Sequence, residues 1–245
     1  MKQMNKQKDA YGQEVLAYLK GEKVPEIVER EDSFIGISGG SPSYFADFKD
    51  WPKIQKKAIK YVKGKVLDIG CGAGRVSLYL QKKGYDVLGI DNSPLAIKVC
   101  KERGLKHARV LPVENVDNLP NSSIDTVLMF GNNFGLFGGY NKAKSLLKKL
   151  YKVTSDDAQI LAESNDVYKT KDPVHLAYHK LNRQRGRMSG QLKIRVRFKK
   201  FIGDWFDYLL VSKSEMKDIL KGTGWKVHKI IDSGKNMYIA VIRKE

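Results

Sequence analysis

The sequence has few cysteines and no long apolar run. Its 245 residues include only two cysteines, Cys71 and Cys100, and neither belongs to a Cys-x-x-Cys pair. This excludes a disulfide framework. No apolar run reaches the roughly 18 residues that a membrane-spanning helix needs, and residues 1–13 contain no apolar stretch of the signal-peptide type. We expect a cytoplasmic protein with reduced thiols and no membrane partner.

Acidic residues are scarce relative to basic residues. The chain has 27 Asp and Glu against 45 Lys and Arg, which gives a net charge of +18. From Pro173 to Gly203, a segment that we call the basic arm, there are nine Lys or Arg and no Asp or Glu. Such a charge is typical of proteins that bind nucleic acid or acidic small molecules. Lysines are also spread along the whole chain, which fits an ordinary basic surface equally well.

Strand and helix patterns alternate from residue 53 to residue 165. The runs that predict buried strands are KVLDIG, DVLGID, a short run near residues 108–113, IDTVLMF and AQILAES. The segments between them have the apolar spacing of helices, and one of these helices begins at Ser93 and Pro94 and ends at Gly104. This alternation is typical of a parallel sheet that helices cover on both faces.

The pattern changes after residue 166. The run PVHLAYHKLNRQRG fits a helix or an irregular arm, and QLKIRVRFKKF alternates strictly between apolar and basic residues, which predicts a strand. GDWFDYLLV is its predicted partner strand, and a capped helix and two final strands follow. Nearer the amino terminus, residues 38–52 are expected to form a loop.

The predicted strand VLDI continues directly into the glycine-rich turn GCGAGR. Gly70, Gly72 and Gly74 are spaced two residues apart, whereas the dinucleotide fingerprint Gly-x-Gly-x-x-Gly places its third glycine further along. No lysine follows Gly74, so the turn is not a phosphate-binding P-loop. Asp68 precedes the glycines, and its carboxylate would repel a pyrophosphate and attract an ammonium group.

The segment VLDIGCGAGR resembles the first motif of the class I S-adenosylmethionine-dependent methyltransferases, an acid followed by Gly-x-Gly-x-Gly. The similarity continues in order with VLGIDNSPLAI and VENVDNLPNSSIDTVLMFGN, and it covers about residues 60–165. The resemblance implies an α/β, Rossmann-like fold with a seven-stranded, mostly parallel, doubly wound sheet and an antiparallel last strand. To this fold we add an antiparallel β element. The resemblance also implies S-adenosylmethionine as the cofactor.

Four regions follow from the patterns and the resemblance together. Residues 1–52 form an amino-terminal helix and a lid region, and residues 53–166 form the cofactor-binding core. Residues 167–211 form an inserted arm with the antiparallel β element, expected to cover the substrate. Residues 212–245 supply a helix and the last strands of the core sheet.

The resemblance implies a set of cofactor contacts. In this family the glycine turn lets the backbone approach the methionine moiety, and the acid before it helps to hold the amino end of the cofactor. Asp91 ends the second strand, where its carboxylate would accept hydrogen bonds from both ribose hydroxyls, and Glu114 or Asn115 would contact the adenine. The predicted cofactor-binding residues are Asp68, Gly70, Cys71, Gly72, Gly74, Asp91, Asn92, Glu114, Asn115, Val116, Phe130, Gly131 and Tyr44.

The turn after the fourth strand of the core, FGNNFGLFGG, is the expected place of the methyl acceptor. It has neither the Asn-Pro-Pro-Tyr/Phe of enzymes that methylate exocyclic base nitrogens nor the Pro-Cys of enzymes that methylate cytosine carbon. GNNFG is similar to a turn of several small-molecule methyltransferases. Asn132 is therefore a candidate catalytic residue, and Asn133 and Phe134 are candidate substrate contacts. Asn and Gly are also ordinary turn formers, so a purely conformational role stays open.

Further candidates lie outside these motifs. Tyr11, in the lid region, is a candidate substrate contact. His175 and His179 are four residues apart, so they share a face of a helix; either is a candidate base, and both also fit plain core or surface positions. We expect no metal, because no carboxylate lies within the basic arm.

The basic arm admits three functions. Its arginines Arg195 and Arg197 are candidates to bind an anionic small substrate, since guanidinium groups pair with carboxylates and phosphates. The arm also fits an RNA-docking surface and a solvated face of a sheet. We therefore expect methyl transfer to nitrogen or oxygen of a small molecule, with an RNA methyltransferase as the alternative and a cofactor-binding regulatory protein without turnover as the second. The acceptor and the oligomeric state stay open.

Overall fold

A computed structural model describes residues 7–245; residues 1–6, the first part of the predicted amino-terminal region, lie outside the described residues. The helices are α1 (Ala10–Leu19), α2 (Gly40–Phe45), α3 (Lys53–Ala58), α4 (Arg75–Lys82), α5 (Pro94–Glu102), α6 (Tyr140–Val153), α7 (Pro173–Gln184) and α8 (Lys213–Leu220). The strands are β1 (Ile27–Arg30), β2 (Ile35–Ile37), β3 (Val66–Ile69), β4 (Val87–Asp91), β5 (Ala108–Val110), β6 (Ile124–Met129), β7 (Thr154–Asn165), β8 (Gln191–Phe198), β9 (Phe201–Ile202), β10 (Phe206–Leu209), β11 (Trp225–Asp232) and β12 (Met237–Lys244).

Seven strands form the main sheet in the order β11-β12-β7-β6-β3-β4-β5. The pairs β4–β5 and β6–β7 are parallel, and β12 runs antiparallel to both of its neighbours. Every residue of β3 and β4 is buried, as their continuous apolar sequences predict for strands covered on both faces. The predicted α/β class and the seven-stranded sheet are confirmed.

Helix α5 illustrates how local sequence sets the boundaries of an element. The Ser93 side chain accepts a hydrogen bond of 2.9 Å from the Ala96 amide, and Pro94 occupies the first turn. Both features were predicted from the Ser-Pro pair. The serine side chain accepts from one of the amides that a helix start leaves unpaired, and proline has no amide N–H to leave unpaired. The cap residue lies two residues after Asp91, the last residue of β4, and the Ser93 amide donates to the Asp91 carboxylate.

A second, antiparallel sheet has the order β10-β8-β1-β2, with β9 paired to β8. It contains the predicted antiparallel element, in which β8 and β10 are neighbours as expected. Its other two strands, β1 and β2, come from the amino-terminal region, where no strand was predicted. The loop expected over residues 38–52 was wrong in one part, because residues Gly40–Phe45 form a short helix. The buried Ser41 in its first turn donates to a distant side chain, a contact that local sequence does not reveal.

The described chain divides into two compact units. The first comprises the described part of Met1–Trp51 with Leu67–Val113 and Lys193–Phe206. The second comprises Pro52–Val66, Glu114–Leu192 and Asp207–Glu245. The predicted regions are therefore interleaved, since residues 53–166 and the inserted arm each contribute to both units. Within residues 7–245, no helix combines the length and the hydropathy required to cross a bilayer.

Candidate active site

The glycine turn of the first unit lies directly after β3. Gly72 has a φ of +56°, in the left-handed region that favours glycine. A Cβ atom at this position would overlap the hydroxyl group of Tyr11. Glycine is therefore required at residue 72 for conformation and for space, because the Tyr11 hydroxyl lies directly against it.

Asp91 connects the end of β4 to this turn. Its carboxylate accepts hydrogen bonds from the Gly72 amide at 3.0 Å and from the Ser93 amide at 2.9 Å. Burial raises the pKa of Asp91 to about 6, and the two amide hydrogen bonds oppose that rise. A carboxylate has about four acceptor positions, so two hydrogen bonds from ribose hydroxyls can be added to the two from the backbone. The predicted neighbour Asn92 is exposed.

Asp68 lies inside the unit rather than at its surface. The Ser77 hydroxyl, on α4, donates to its carboxylate at 2.6 Å. Burial raises the pKa of Asp68 to about 6, and the Ser77 hydrogen bond opposes it. Gly70 and Cys71 follow Asp68 closely in the chain. Their amides both donate to the Ile90 carbonyl oxygen, which binds the start of the turn to β4. Gly74, also left-handed at φ +78°, caps α4.

The amino-terminal helix α1 packs on this part of the first unit. Asp9 caps α1 by accepting from the Gly12 amide at 2.9 Å, and it also accepts from the Ser93 hydroxyl at 2.8 Å. Tyr11 and Tyr44 pack edge to face with ring centroids 5.6 Å apart, in one cluster with Ala73 of the glycine turn. Tyr11 and Tyr44 are thus brought to the predicted cofactor residues of this unit. Asp9 was not identified from sequence, although an Asp directly before a predicted helix is a helix-cap signal.

The turn after β6 belongs to the second unit. Asn132 has a φ of +62°, which is uncommon for a residue other than glycine. Its Oδ1 atom is buried and accepts no hydrogen bond from the described residues. The Tyr208 hydroxyl donates to the Asn132 carbonyl oxygen at 2.7 Å, and the Tyr208 ring packs on Gly135, where any Cβ atom would overlap it. Tyr208 was missed, because only the chain fold brings β10 to this turn.

Glu163, near the end of β7, holds the same turn from inside. It is fully buried, and its Oε2 atom accepts hydrogen bonds from the Gly131 amide and from the Gln55 side chain, both at 2.7 Å. Strand β7 was predicted, but no pattern distinguished Glu163 as a site residue. A buried acid within a predicted apolar strand was the available signal.

The other predicted cofactor and substrate residues of the second unit differ in their burial. Glu114 is exposed and forms an ion pair of 2.6 Å with Lys142, whereas Val116 is fully buried. Phe130 and Phe134 are buried, and Phe134 packs against Phe137 with ring centroids 5.1 Å apart. Asn115 lies in a short 3₁₀ segment and Asn133 begins another.

The histidine and arginine candidates occupy two different elements. His175 lies at the surface of α7, 4.0 Å from Asp172, and His179 is buried 6.3 Å from the Tyr168 ring. On β8, Arg195 forms two hydrogen bonds with Glu29, at 2.7 and 3.0 Å. Arg197 approaches the same carboxylate at 2.6 Å. In the part of the chain that the structure describes, no cluster of three or more His, Cys, Asp or Glu is placed to hold a metal ion.

Comparison with known proteins identifies the family. The family described as "Methyltransferase domain" matches residues 66–157. The chain is similar to a crystal structure of an S-adenosylmethionine-dependent methyltransferase from Bacteroides fragilis in complex with S-adenosylhomocysteine, with a TM-score of 0.84, 25% identity, and coverage of 99% of this chain and 98% of the other. Residues 66–157 are thus a methyltransferase domain, and the chain is a methyltransferase with the class I fold of its S-adenosylmethionine-dependent structural neighbour.

Two curated relatives match shorter segments. A putative methyltransferase of Geobacillus sp. (strain WCH70) is 27% identical over 131 residues, which cover 51% of this chain and 53% of that protein. A 2-heptyl-1-hydroxyquinolin-4(1H)-one methyltransferase of Mycobacteroides abscessus is 46% identical over 48 residues, which cover 18% of this chain and 21% of that protein. The chain thus spans about half of the first relative and about a fifth of the second.

The residues of the methyltransferase fit the cofactor of its family. Gly72 places no side chain between the turn and the Tyr11 hydroxyl, and Asp91 keeps acceptor capacity beyond its two amide partners. S-Adenosylmethionine is accordingly the cofactor, and the specific contacts predicted for Asp68, Asp91 and Tyr44 stay predictions.

Proposed function

We propose that this methyltransferase transfers a methyl group from S-adenosylmethionine to a nitrogen or oxygen atom of a small-molecule acceptor. The observation that carries the proposal is the buried, unsatisfied Oδ1 atom of Asn132, held on a left-handed residue. A buried acceptor without a donor costs about 1–3 kcal/mol, and strained backbone of this kind is concentrated at functional sites. An acceptor molecule with an N–H or O–H group would supply the missing donor.

The chemistry places modest demands on the protein. Bound S-adenosylmethionine supplies an activated sulfonium methyl group, which an in-line nucleophile displaces. Positioning of the two reactants provides on the order of 7–11 kcal/mol. Asn132 would orient the acceptor through its N–H or O–H group, and Glu163 and Tyr208 would hold Asn132 and its turn in place. A general base is needed only for an acceptor that must lose a proton during transfer.

The contacts of the basic arm favour a small acceptor over RNA. Arg195 and Arg197 both face Glu29, so an RNA phosphate would compete with a carboxylate already in hydrogen-bonding contact. Glu29 lies directly opposite Arg195 in the β1–β8 pair, and cross-strand pairs of opposite charge stabilise a sheet. The arginines therefore have a structural partner, which supports their assignment to the sheet rather than to nucleic acid.

The deciding experiment is methyl transfer from labelled S-adenosylmethionine to two acceptor pools, total RNA and a protein-free metabolite extract. We expect label in metabolites, and its loss in the variant Asn132→Gly, which keeps the left-handed backbone without the Oδ1 atom. Label in RNA, with a steep loss of RNA affinity as salt rises, would establish the RNA methyltransferase instead. Tight cofactor binding with no transfer to either pool would favour the regulatory protein.

A further inference from the structure

A pair of buried carboxyl groups lies in the amino-terminal part of the first unit. Glu14, on α1, and Glu26, directly before β1, are 1% and 4% exposed. Acidic side chains are almost never this buried unless they are paired with a partner that offsets the charge. The arrangement therefore requires a physical explanation.

One carboxylate oxygen of Glu14 is satisfied by hydrogen bonds. Its Oε1 atom accepts from the Ser41 amide at 2.9 Å and from the Ser41 hydroxyl at 2.7 Å. Its Oε2 atom is buried and accepts no N–H or hydroxyl hydrogen bond from the described residues. Glu26 lies beside Glu14, because a Cβ atom built on Gly40 would be 3.1 Å from the Glu14 Oε1 atom and 3.3 Å from the Glu26 Cβ atom. A proton held by the Glu26 carboxyl group would supply the donor that this oxygen lacks.

Glu26 also contacts residues of the segment that packs on the glycine turn. The Tyr44 hydroxyl, on α2, lies 3.3 and 3.4 Å from the two carboxylate oxygens, and the Ser38 hydroxyl donates to Oε1. Tyr44 packs against Tyr11, and the Tyr11 hydroxyl lies against Gly72. A continuous series of contacts thus connects the carboxyl pair to the glycine turn.

We propose that Glu26, in a carboxyl pair with Glu14 that shares one proton, is a positioning residue for the cofactor site: it holds Tyr44, and through Tyr44 the Tyr11 ring, against the glycine turn. This inference rests on the proposed function only in that the cofactor binds at this turn. The pair orders the segments that carry α1, β1 and α2. Loss of the shared proton leaves two buried negative charges that repel each other and loosen this cover.

The surroundings set the pH at which this happens. Burial, with the Glu14 charge as the next cause, raises the pKa of Glu26 to about 7, while the hydrogen bonds from Ser38 and Tyr44 oppose the rise. The titratable groups that act on Glu26 are Glu14 on α1 and Tyr44 on α2. Tyr11 lies beyond Tyr44, and burial raises the pKa of Tyr11 well above the ordinary value. None of these groups is positively charged, so no cation among them offsets a negative charge on Glu26.

The test is the calorimetric affinity for S-adenosylhomocysteine from pH 5.5 to 8.5. Because loss of one proton changes affinity by at most tenfold per pH unit, we expect the wild-type affinity to fall by about tenfold between pH 7 and 8.5. In Glu26→Gln the amide donates permanently to Glu14, so the affinity should stay constant over this range. Tyr44→Phe should weaken binding at every pH by removing the link. The exposed Glu22→Gln serves as the matched control and should behave like the wild type.

Several results would overturn the proposal. One is a wild-type affinity that does not change above pH 7; another is a folded Glu26→Gln variant that keeps the wild-type slope. Should Glu26→Gln fail to fold, Glu14→Gln donates from the other side of the pair and must abolish the same slope. Melting temperatures are recorded in the same buffers. If the pair had only a structural role, the Glu26→Gln variant would have a changed melting temperature but the same pH dependence of affinity as the wild type. A folded wild-type protein that binds no S-adenosylhomocysteine at any pH would overturn the proposed function as well, which separates the two failures.

Discussion

The Gly72 amide donates a hydrogen bond of 3.0 Å to the Asp91 carboxylate, and so ties the turn after β3 to the end of β4. This contact shows that Asp91 organises the backbone of the glycine turn in addition to its predicted role at the ribose. Two segments separated in sequence are thereby held together within the first unit, where the cofactor contacts are predicted.

Replacement of Asp91 tests the predicted ribose contact. Asp91→Asn keeps the shape but loses the charge and one acceptor, and hydrogen bonds to charged groups are worth about 1.5–3 kcal/mol. We expect the calorimetric affinity for S-adenosylhomocysteine to fall by at least about tenfold. The exposed Asp86, which precedes the same strand, provides the control Asp86→Asn. An unchanged affinity in Asp91→Asn would place the ribose elsewhere.

Two substitutions of Asn132 separate its backbone from its side chain. Asn132→Gly retains the left-handed conformation, so the melting temperature should hold while kcat/KM falls about tenfold or more through loss of the Oδ1 atom. Asn132→Ala loses the same atom and adds backbone strain of about 1 kcal/mol, so both activity and stability should decrease. If Asn132→Gly is fully active, the residue is a turn former only.

Tyr208 tests whether β10 covers the acceptor region. Tyr208→Phe removes the hydroxyl that binds the Asn132 carbonyl oxygen and keeps the ring on Gly135. We expect a higher KM for the acceptor and an unchanged affinity for S-adenosylhomocysteine. Tyr140→Phe, which removes a partly buried hydrogen bond of 2.9 Å to Asp218, is the control and should alter neither quantity. An equal effect in the two variants would argue against a role for Tyr208 in the site.

The buried acids predict how stability depends on pH. Burial raises the pKa of Asp68 and Asp91 to about 6 and that of Glu26 to about 7. An acid with a raised folded-state pKa contributes stability that is complete below its unfolded-state pKa and is lost as pH rises through the folded-state value. Carboxylates with a lowered pKa, such as Glu29, make stability rise with pH, but only at more acidic pH.

The melting temperature without cofactor should therefore fall from pH 5 to pH 7.5, as measured by calorimetry. Asp91→Asn removes one of the titrating groups and should flatten the decrease. A melting temperature that rises over this interval would show that the three acids do not have raised pKa values in the folded protein.

Local patterns predicted the core of this protein well. The alternation of strands and helices, the cap at Ser93 and the glycine turn depend on residues that are neighbours in sequence, because they express backbone conformation and the burial of a single element. The family motifs lie in these same segments, so the fold class, the family and the cofactor were available from the sequence. The alternating residues of β8 likewise predicted a strand with one apolar and one basic face.

Only the tertiary structure decided which distant segments meet. The pairing of β1 with β8 places Glu29 opposite Arg195, and the position of β10 brings Tyr208 to Asn132. The carboxyl pair of Glu14 and Glu26 exists because the fold buries a residue of α1 beside the residue that precedes β1. Local propensity contains no record of such contacts, since their free energy comes from desolvation and hydrogen bonding between groups far apart in the chain. The sequence therefore determined the cofactor-binding scaffold, and the three-dimensional packing determined what surrounds it.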